Sequence, residues 1–424
     1  MKIAIVGAGW YGCHLALVLQ KMGHDVTIFE KNDDIFQGIS GNFGIRLHSG
    51  SHYPRSPETR ESCRRGYSEF IERYSELVID HSYSIYGLGV SDSTNEASHV
   101  GPTIFKDVCE EFPSSHEIAP QKWGYQNLLS AHNMEEPSVL LGKPLRDKFK
   151  QYLSEAGVKL RCQTTIEKVV SESEQVCLTH SKGEEQFDKL INASSFQTLL
   201  PQEALPFPFE VVYQPCLGLV YKDLEPLEKP FSFIVMDGLF PCVMPIVEEK
   251  PANSEHYLLT HGQYTILASC QKLESAQAIL ERIDDNYIES IIKPRCEQEI
   301  NRFWPEFAER FQYQTWKGAI LAKLKTKTEF RSAVTFEKDN IIHIIPGKIS
   351  NIFDAEREAI QLLANHHIKT KNDYRYVEDG VLDHGLNEII TLPEENQRAT
   401  TTLQTYTDLS NSENHSPPSY VSLR

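Results

Sequence analysis

A short apolar strand that empties into Gly-x-Gly-x-x-Gly and then into an amphipathic helix leaves a chain few folds to choose from. Here Lys2–Val6 reads as the strand and Gly7-Ala8-Gly9-Trp10-Tyr11-Gly12 as the turn. Leu15, Val18, Leu19 and Met22 then recur at helical spacing and mark one buried face. Gly23 closes the helix, and Val26–Phe29 forms a second apolar strand that ends at Glu30. About thirty residues thus make a strand–helix–strand crossover, the building block of a parallel sheet.

The spacing has a physical use. A helix N-terminus presents unpaired N–H groups and partial positive charge to a pyrophosphate. Gly7 permits the tight turn, Gly9 lets phosphate approach the backbone, and Gly12 lets helix and strand pack closely. The Glu30 carboxylate is placed to accept ribose hydroxyls and to repel a 2′-phosphate, which argues against NADP. The segment therefore reads as a dinucleotide site formed by Gly7, Ala8, Gly9, Trp10, Tyr11, Gly12, Glu30 and Lys31. The plainer reading is a glycine-rich turn without a ligand.

The rest of the chain predicts a discontinuous α/β domain, 1–80, 134–205 and 325–385, interrupted by a mostly antiparallel sheet domain, 81–133 and 206–324. Ser56 is a candidate N-cap, with Pro57 and Glu58 in the first turn of a helix whose apolar stripe includes Phe70, Ile71 and Tyr74. Leu145, Phe149 and Leu153 predict a helix stopped by Gly157. Strands over Val158–Cys162, Thr165–Val170, Gln175–Thr179 and Phe187–Ala193 read as a small antiparallel insertion. Strands are expected across 208–270, helices over 274–310, and strands again from about 325 to 345. Residues 391–424 are rich in Thr, Ser, Asn, Gln and Pro, and predict a disordered tail.

Composition narrows the function classes. Lys and Arg total 42 against 59 Asp and Glu, a net charge of −17, which argues against nucleic-acid binding. No apolar run is long enough for a membrane span. The nine cysteines lack any CxxC pair, as expected of reduced thiols in a cytoplasmic protein without a metal centre. A small-molecule substrate is the partner expected; oligomeric state is left open.

The residues from Gly7 onward resemble the extended fingerprint of FAD-dependent oxidoreductases of the D-amino-acid oxidase and glycine oxidase family. Gly7, Gly9, Gly12, Ala16, Leu19, Gly23, Val26, Glu30, Gly38 and Ser40-Gly41 carry the likeness. Asn192-Ala193-Ser194, Trp316-x-Gly318 and Pro346-Gly347-Lys348 are similar to later family motifs, although the Arg and Pro that follow Trp-x-Gly in the family are absent here. The resemblance implies FAD as cofactor. It adds Ser40, Gly41, Asn42, Arg46, Leu47, His48, Val169, Ala193, Ser194, Gly347, Lys348, Ile349 and Ser350 to the cofactor-binding set. It also implies that the helix after Ser350 points its positive end at the flavin ring, where it stabilises the reduced anion.

Loop 42–60 concentrates Arg46, His48, His52, Tyr53, Arg55 and Arg60. Arg46, His48 and Tyr53 are candidate catalytic residues, against ion-pair or packing roles. Arg331, read as the end of a strand, is a candidate anchor for an anionic substrate. By resemblance the expected activity is oxidation of a C–N bond in an amine or amino-acid-like substrate, by hydride transfer to flavin N5. A flavoenzyme acting on C–C or C–O bonds, a redox-neutral sugar mutase, an NAD-dependent dehydrogenase and a non-catalytic nucleotide-binding protein are the alternatives.

Overall fold

Lys2–Val6 (β1), Trp10–Lys21 (α1) and Asp25–Phe29 (β2) form the parallel crossover, with Ile3 opposite Val26 and Ile5 opposite Ile28. The computed structural model describes residues 1–134, 136–172, 175–248, 255–325 and 330–391. β1 and β2 lie inside an eight-stranded sheet. Its order is Ile368–Lys371, Tyr374–Val377, Val334–Lys338, Ile341–Ile345, Lys189–Asn192, β1, β2 and Lys159–Arg161. The five strands from Ile341–Ile345 to Lys159–Arg161 are parallel. Helices cover one face of the β1 region, against Ile3 and Ile5, and the antiparallel strands Gln175–His180 and Gly183–Phe187 cover the other, against Ala4, so all three are fully buried.

The local signals act as their chemistry requires. The Ser56 hydroxyl accepts the Thr59 N–H at 3.3 Å and caps the helix Pro57–Tyr74. The helix Gly142–Ala156 stops at Gly157, whose φ of +80° is left-handed. The expected strand Phe187–Ala193 is in fact two. Gly183–Phe187 completes an antiparallel three-stranded sheet with Ile166–Glu172 and Gln175–His180, while Lys189–Asn192 joins the parallel sheet beside β1. Asp188 makes the crossing, its carboxylate accepting the Lys2 N–H at 2.7 Å.

The second large sheet is mostly antiparallel. Its order is Phe311–Lys325, Glu210–Asp223, His256–His261, Pro241–Ile246, Phe231–Met236, Tyr83–Gly89, Leu128–Asn133 and His116–Ile118. One of these strands, Phe311–Lys325, is not apparent in the sequence, whereas Pro241–Ile246 lies within the stretch 208–270 expected to hold strands, although Pro241 and Pro245 lower its own signal. Phe311–Lys325 leaves most of its positions half-exposed, so it lacks a clean apolar alternation. The tail expected to be disordered lies, beyond Thr391, outside the described residues. Among those residues no helix is long and apolar enough to cross a membrane.

One buried carboxyl makes the fold sensitive to pH. Glu358, on the helix Ile352–Ala364, is 4% exposed; its Oε1 accepts the Val381 N–H at 2.6 Å, while Oε2 has no hydrogen-bond partner. Burial pushes this carboxyl up from 4.5 to about 8. Between those values the folded chain binds a proton that the unfolded chain releases, so stability falls as pH rises. Glu358→Gln keeps the acceptor and removes the titration. Urea denaturation at pH 5 and pH 8 is expected to show a smaller loss of stability for Glu358→Gln than for the parent.

Candidate active site

The glycine turn forms an open cradle. Gly7 adopts φ of +102°, and a Cβ there would lie 2.7 Å from the Ala193 carbonyl oxygen. A Cβ on Gly12 would lie 1.9 Å from the Gly7 carbonyl oxygen, so both positions need glycine. α1 starts after Gly9 with no side-chain cap from that residue; the Trp10 N–H reaches Ser40 Oγ at 3.5 Å, and the N–H groups that follow it in the first turn have no intrahelical partner and suit an anion. Glu30 is 8% exposed; its Oε2 accepts the Ala8 N–H at 2.8 Å, and its Oε1 accepts the main-chain and side-chain N–H groups of Asn32. Oε2 thus keeps a lone pair for a ribose hydroxyl. An uncapped helix start beside a fixed carboxylate fits the diphosphate and adenosine ribose of FAD.

The other expected cofactor residues are placed unequally. Ser40 and Gly41 lie on the short helix Ile39–Asn42 beside the turn, with Ser40 Oγ facing the Trp10 N–H at 3.5 Å. The Asn42 side chain lies outside the described residues. Lys31 is exposed after β2. Ala193 and Ser194 follow the strand beside β1, and Asn192 Oδ1 accepts the Ser194 N–H and hydroxyl at 3.2 and 2.6 Å. Val169 is half-buried against a cluster that includes Val6 and Phe29. The Trp10 ring packs among Phe36, Phe70, Tyr74 and Phe149, and Leu47 is fully buried. Those two side chains belong to the core, so only their main chain is available to a ligand.

The turn 346–350 differs from a bare helix start. The Tyr11 hydroxyl accepts the Gly347 N–H at 3.1 Å and donates to the Lys348 carbonyl at 2.7 Å. The Lys348 N–H donates to Asn351 Oδ1 at 2.6 Å. Two of the N–H groups expected to face the flavin are therefore engaged by side chains, because Tyr11 and Asn351 reach them first. Ser350 is fully buried and Ile349 half-buried. What this turn offers instead is the Lys348 ammonium, 5.1 Å from the centre of the Tyr53 ring.

Around Lys348 the expected catalytic residues converge. The Tyr53 ring lies edge-on to His48 and His52, with centroids 5.8 and 5.1 Å away, and the two imidazoles stack at 5.0 Å. Arg46 is 3% exposed, and its Nη2 is 3.3 Å from His48 Nδ1. Arg331 is not at a strand end. It lies in the connection before Val334–Lys338, where its N–H donates to Thr59 Oγ1 at 2.9 Å, and its charge still reaches His48 and Lys348. Burial together with Arg331, Lys323 and Arg46 pushes the Lys348 ammonium down to about 7, despite the Cys63 thiol nearby. Burial and the charges of Arg46, Lys348 and Arg331 hold His48 well below its ordinary value.

Three members of this group are not apparent from sequence. Glu136 is fully buried: its Oε1 accepts the Ser49 N–H at 2.7 Å and the Ser49 hydroxyl at 2.6 Å, and its Oε2 accepts the Tyr86 hydroxyl at 2.5 Å. Tyr86 reads as a core residue of an apolar strand, and Lys323 as a solvated residue of a strand itself unrecognised. Only the acid's position between the buried Met134 and Val139 hints at Glu136. By contrast, Tyr257 packs against Phe231 and Phe311, and the Tyr213 hydroxyl donates to the Phe196 carbonyl, so these aromatics serve the core. Among the described residues no cluster of His, Cys, Asp or Glu is arranged to hold a metal.

A nucleotide cradle on one sheet and a buried polar cluster at the neighbouring turn define a flavoprotein oxidoreductase. A model of FAD dependent oxidoreductases matches residues 2–135. The FAD-dependent monooxygenase kojA of Aspergillus flavus is 46% identical over 418 residues, covering 96% of this chain and 98% of that protein. The chain belongs to the FAD-dependent oxidoreductases of the D-amino-acid oxidase family, and FAD is its cofactor. Its fold is similar to glycine oxidase from Geobacillus kaustophilus, with TM-score 0.62 and 13% identity over 87% of this chain and 95% of that one. L-proline dehydrogenase from P. horikoshii is also similar, with TM-score 0.60 and 14% identity over 86% and 93%.

Proposed function

We propose that the protein oxidises a small organic anion, at a C–N bond of an amine or amino-acid-like substrate. The observation that carries this reading is the gathering of Lys348, Arg331, Lys323 and Arg46 around His48 and Tyr53, with Glu136 as the buried carboxylate among them. We further propose the division stated above, with the FAD-binding parts at 1–80, 134–205 and 325–385 and the second sheet as the substrate domain. FAD, when bound, supplies the two-electron acceptor. Lys348 and Arg331 hold the anionic group of the substrate. The same positive field disfavours a bound ammonium and so favours the neutral amine, whose lone pair assists loss of hydride. Tyr53 and the two stacked imidazoles exclude water and orient the substrate carbon.

A second reading has its own support. The relative at 46% identity is named a monooxygenase, whereas the named amine-oxidising enzymes resemble this chain only in fold. The cation cluster would equally hold the oxygen anion of an enol or phenol awaiting hydroxylation. The test is an anaerobic panel of amines, amino acids, 2-hydroxy acids and phenols added to the flavoprotein, followed by turnover under labelled oxygen with and without NADH or NADPH, the two-electron donor that hydroxylation would require. Bleaching of the flavin by an amine without label in the product supports C–N oxidation. Label in the product, with no anaerobic bleaching, supports hydroxylation.

Arg331→Ala checks the anchor. With an anionic substrate, kcat/KM is expected to fall by about tenfold to a hundredfold, the worth of one charge-assisted hydrogen bond at roughly 1.5–3 kcal/mol. The rise should be in KM, with flavin content unchanged. Unaltered kinetics would remove Arg331 from the site.

A further inference from the structure

We infer that Arg46, ion-paired with Glu136 at 3.6 Å, is a positioning residue that fixes His48 as a neutral imidazole carrying its proton on Nε2, so that His48 presents a donor to the pocket and accepts no proton there. The role in the pocket rests on the functional reading above; the tautomer rests on the hydrogen-bond inventory alone.

The Glu136 carboxylate decides the directions. Its Oε2 takes the only proton of the Tyr86 hydroxyl, at 2.5 Å, and lies 3.6 Å from Arg46 Nε. Its Oε1 is filled by the two donors of Ser49. The guanidinium of Arg46 lies over the Tyr86 ring at 4.9 Å and brings Nη2 to 3.3 Å from His48 Nδ1. Guanidinium nitrogens only donate, so an Nδ1 at that distance must offer a lone pair. The Tyr86 oxygen also lies 3.4 Å from Nδ1 and could accept a proton from it. That arrangement would set two N–H groups head to head across the Arg46 contact. Nδ1 is therefore the acceptor, and the neutral ring carries its proton on Nε2, for which the described residues provide no partner.

A second proton on Nδ1 would place an imidazolium against the guanidinium. The other charges that reach His48 do not offset this. Arg331 is a cation and Lys348 is one below about pH 7; His52 stacks on the ring and Tyr53 meets it edge-on. The one carboxylate among the described residues near the ring, Glu136, is 3.7 Å from Nδ1 and already accepts from Ser49 and Tyr86. Nothing in the sequence assigns this part to Arg46, because the partners that direct it come from residues 86 and 136.

The test is a long-range proton–nitrogen correlation spectrum of the holoprotein with histidine rings labelled in nitrogen. The His48 signals are identified by their loss in His48→Gln. The expected result is a neutral Nε2–H pattern that does not titrate between pH 5.5 and pH 8.5. Arg46→Met removes the donor to Nδ1 and a like charge within hydrogen-bond distance. His48 should then move toward the Nδ1–H form and titrate about 1–3 units higher. Tyr86→Phe should keep the Nε2–H pattern, since its hydroxyl proton goes to Glu136. An Nδ1–H or doubly protonated pattern in the parent protein overturns the inference, as does a pattern changed by Tyr86→Phe and not by Arg46→Met. The parent spectrum decides the matter even if Arg46→Met fails to fold. The experiment needs no substrate, so failure of the substrate panel and failure of this inference are separable. A carboxylate ligand that binds without moving the His48 Nε2 signal would count against the pocket, and would leave Arg46 as the residue that fixes the tautomer.

Discussion

A Gly9→Val chain is expected to purify folded and colourless. Gly9 sits at φ −88° and ψ −165°, extended values that valine adopts without strain. The cost therefore falls on the ligand and not on the backbone. A Cβ at Gly9 meets only the Ser40 side chain, Oγ at 3.0 Å and Cβ at 3.6 Å, so the two methyl groups of valine project into the cradle where a diphosphate approaches the helix start. Blocking that approach should reduce FAD affinity by at least about a hundredfold, or roughly 2.8 kcal/mol. The check is flavin absorbance per chain after purification, with far-ultraviolet circular dichroism to confirm the fold. Gly9→Ala, smaller by two methyl groups, should retain part of the flavin. Gly7 and Gly12 are poorer probes, since any side chain there strikes main-chain oxygen and disturbs the fold itself.

The largest stability effect is expected in the second sheet. Arg310 donates to both oxygens of Asp223, at 2.9 and 2.8 Å, and lies over the Phe231 ring at 4.6 Å. The Asp223 side chain is fully buried, and the Arg310 side chain is 17% exposed. Among the described residues, Arg310→Ala would leave the buried carboxylate only the Glu225 N–H, which donates to Oδ1 at 3.0 Å. The expected loss is about 3–5 kcal/mol, read as a lower midpoint in urea denaturation. Arg310→Lys keeps the charge but loses the paired geometry and should fall between. A midpoint unchanged in Arg310→Ala would show that Asp223 is satisfied by other means.

The two halves of the molecule differ in how legible they were. The β1–α1–β2 unit could be read because each residue there obeys a local rule: apolar alternation lost to a fully buried run, glycines where main chain meets main chain, and an acid at the strand end. The cap at Ser56 and the stop at Gly157 are equally local. The Phe311–Lys325 strand was hidden because most of its positions are half-exposed, so no apolar alternation marks it. The site was legible only in part, for a related reason. Arg46, His48, His52 and Tyr53 lie within eight residues of each other, so their clustering shows in the sequence. Glu136 and Tyr86 come from other segments, and only the folded chain brings their oxygens together. The turn 346–350 shows the same limit: its helix follows where expected, but Tyr11, more than 300 residues away, takes the Gly347 N–H.

The proposed chemistry requires the cation cluster to face a bound anion beside the flavin. A titration of the holoprotein with small carboxylates such as acetate, benzoate and pyrrole-2-carboxylate, followed in the visible flavin band, tests this directly. A saturable spectral shift that weakens strongly in Lys348→Met is the result expected. A flavin spectrum indifferent to every anion, in a protein that still turns over its substrate, would contradict it.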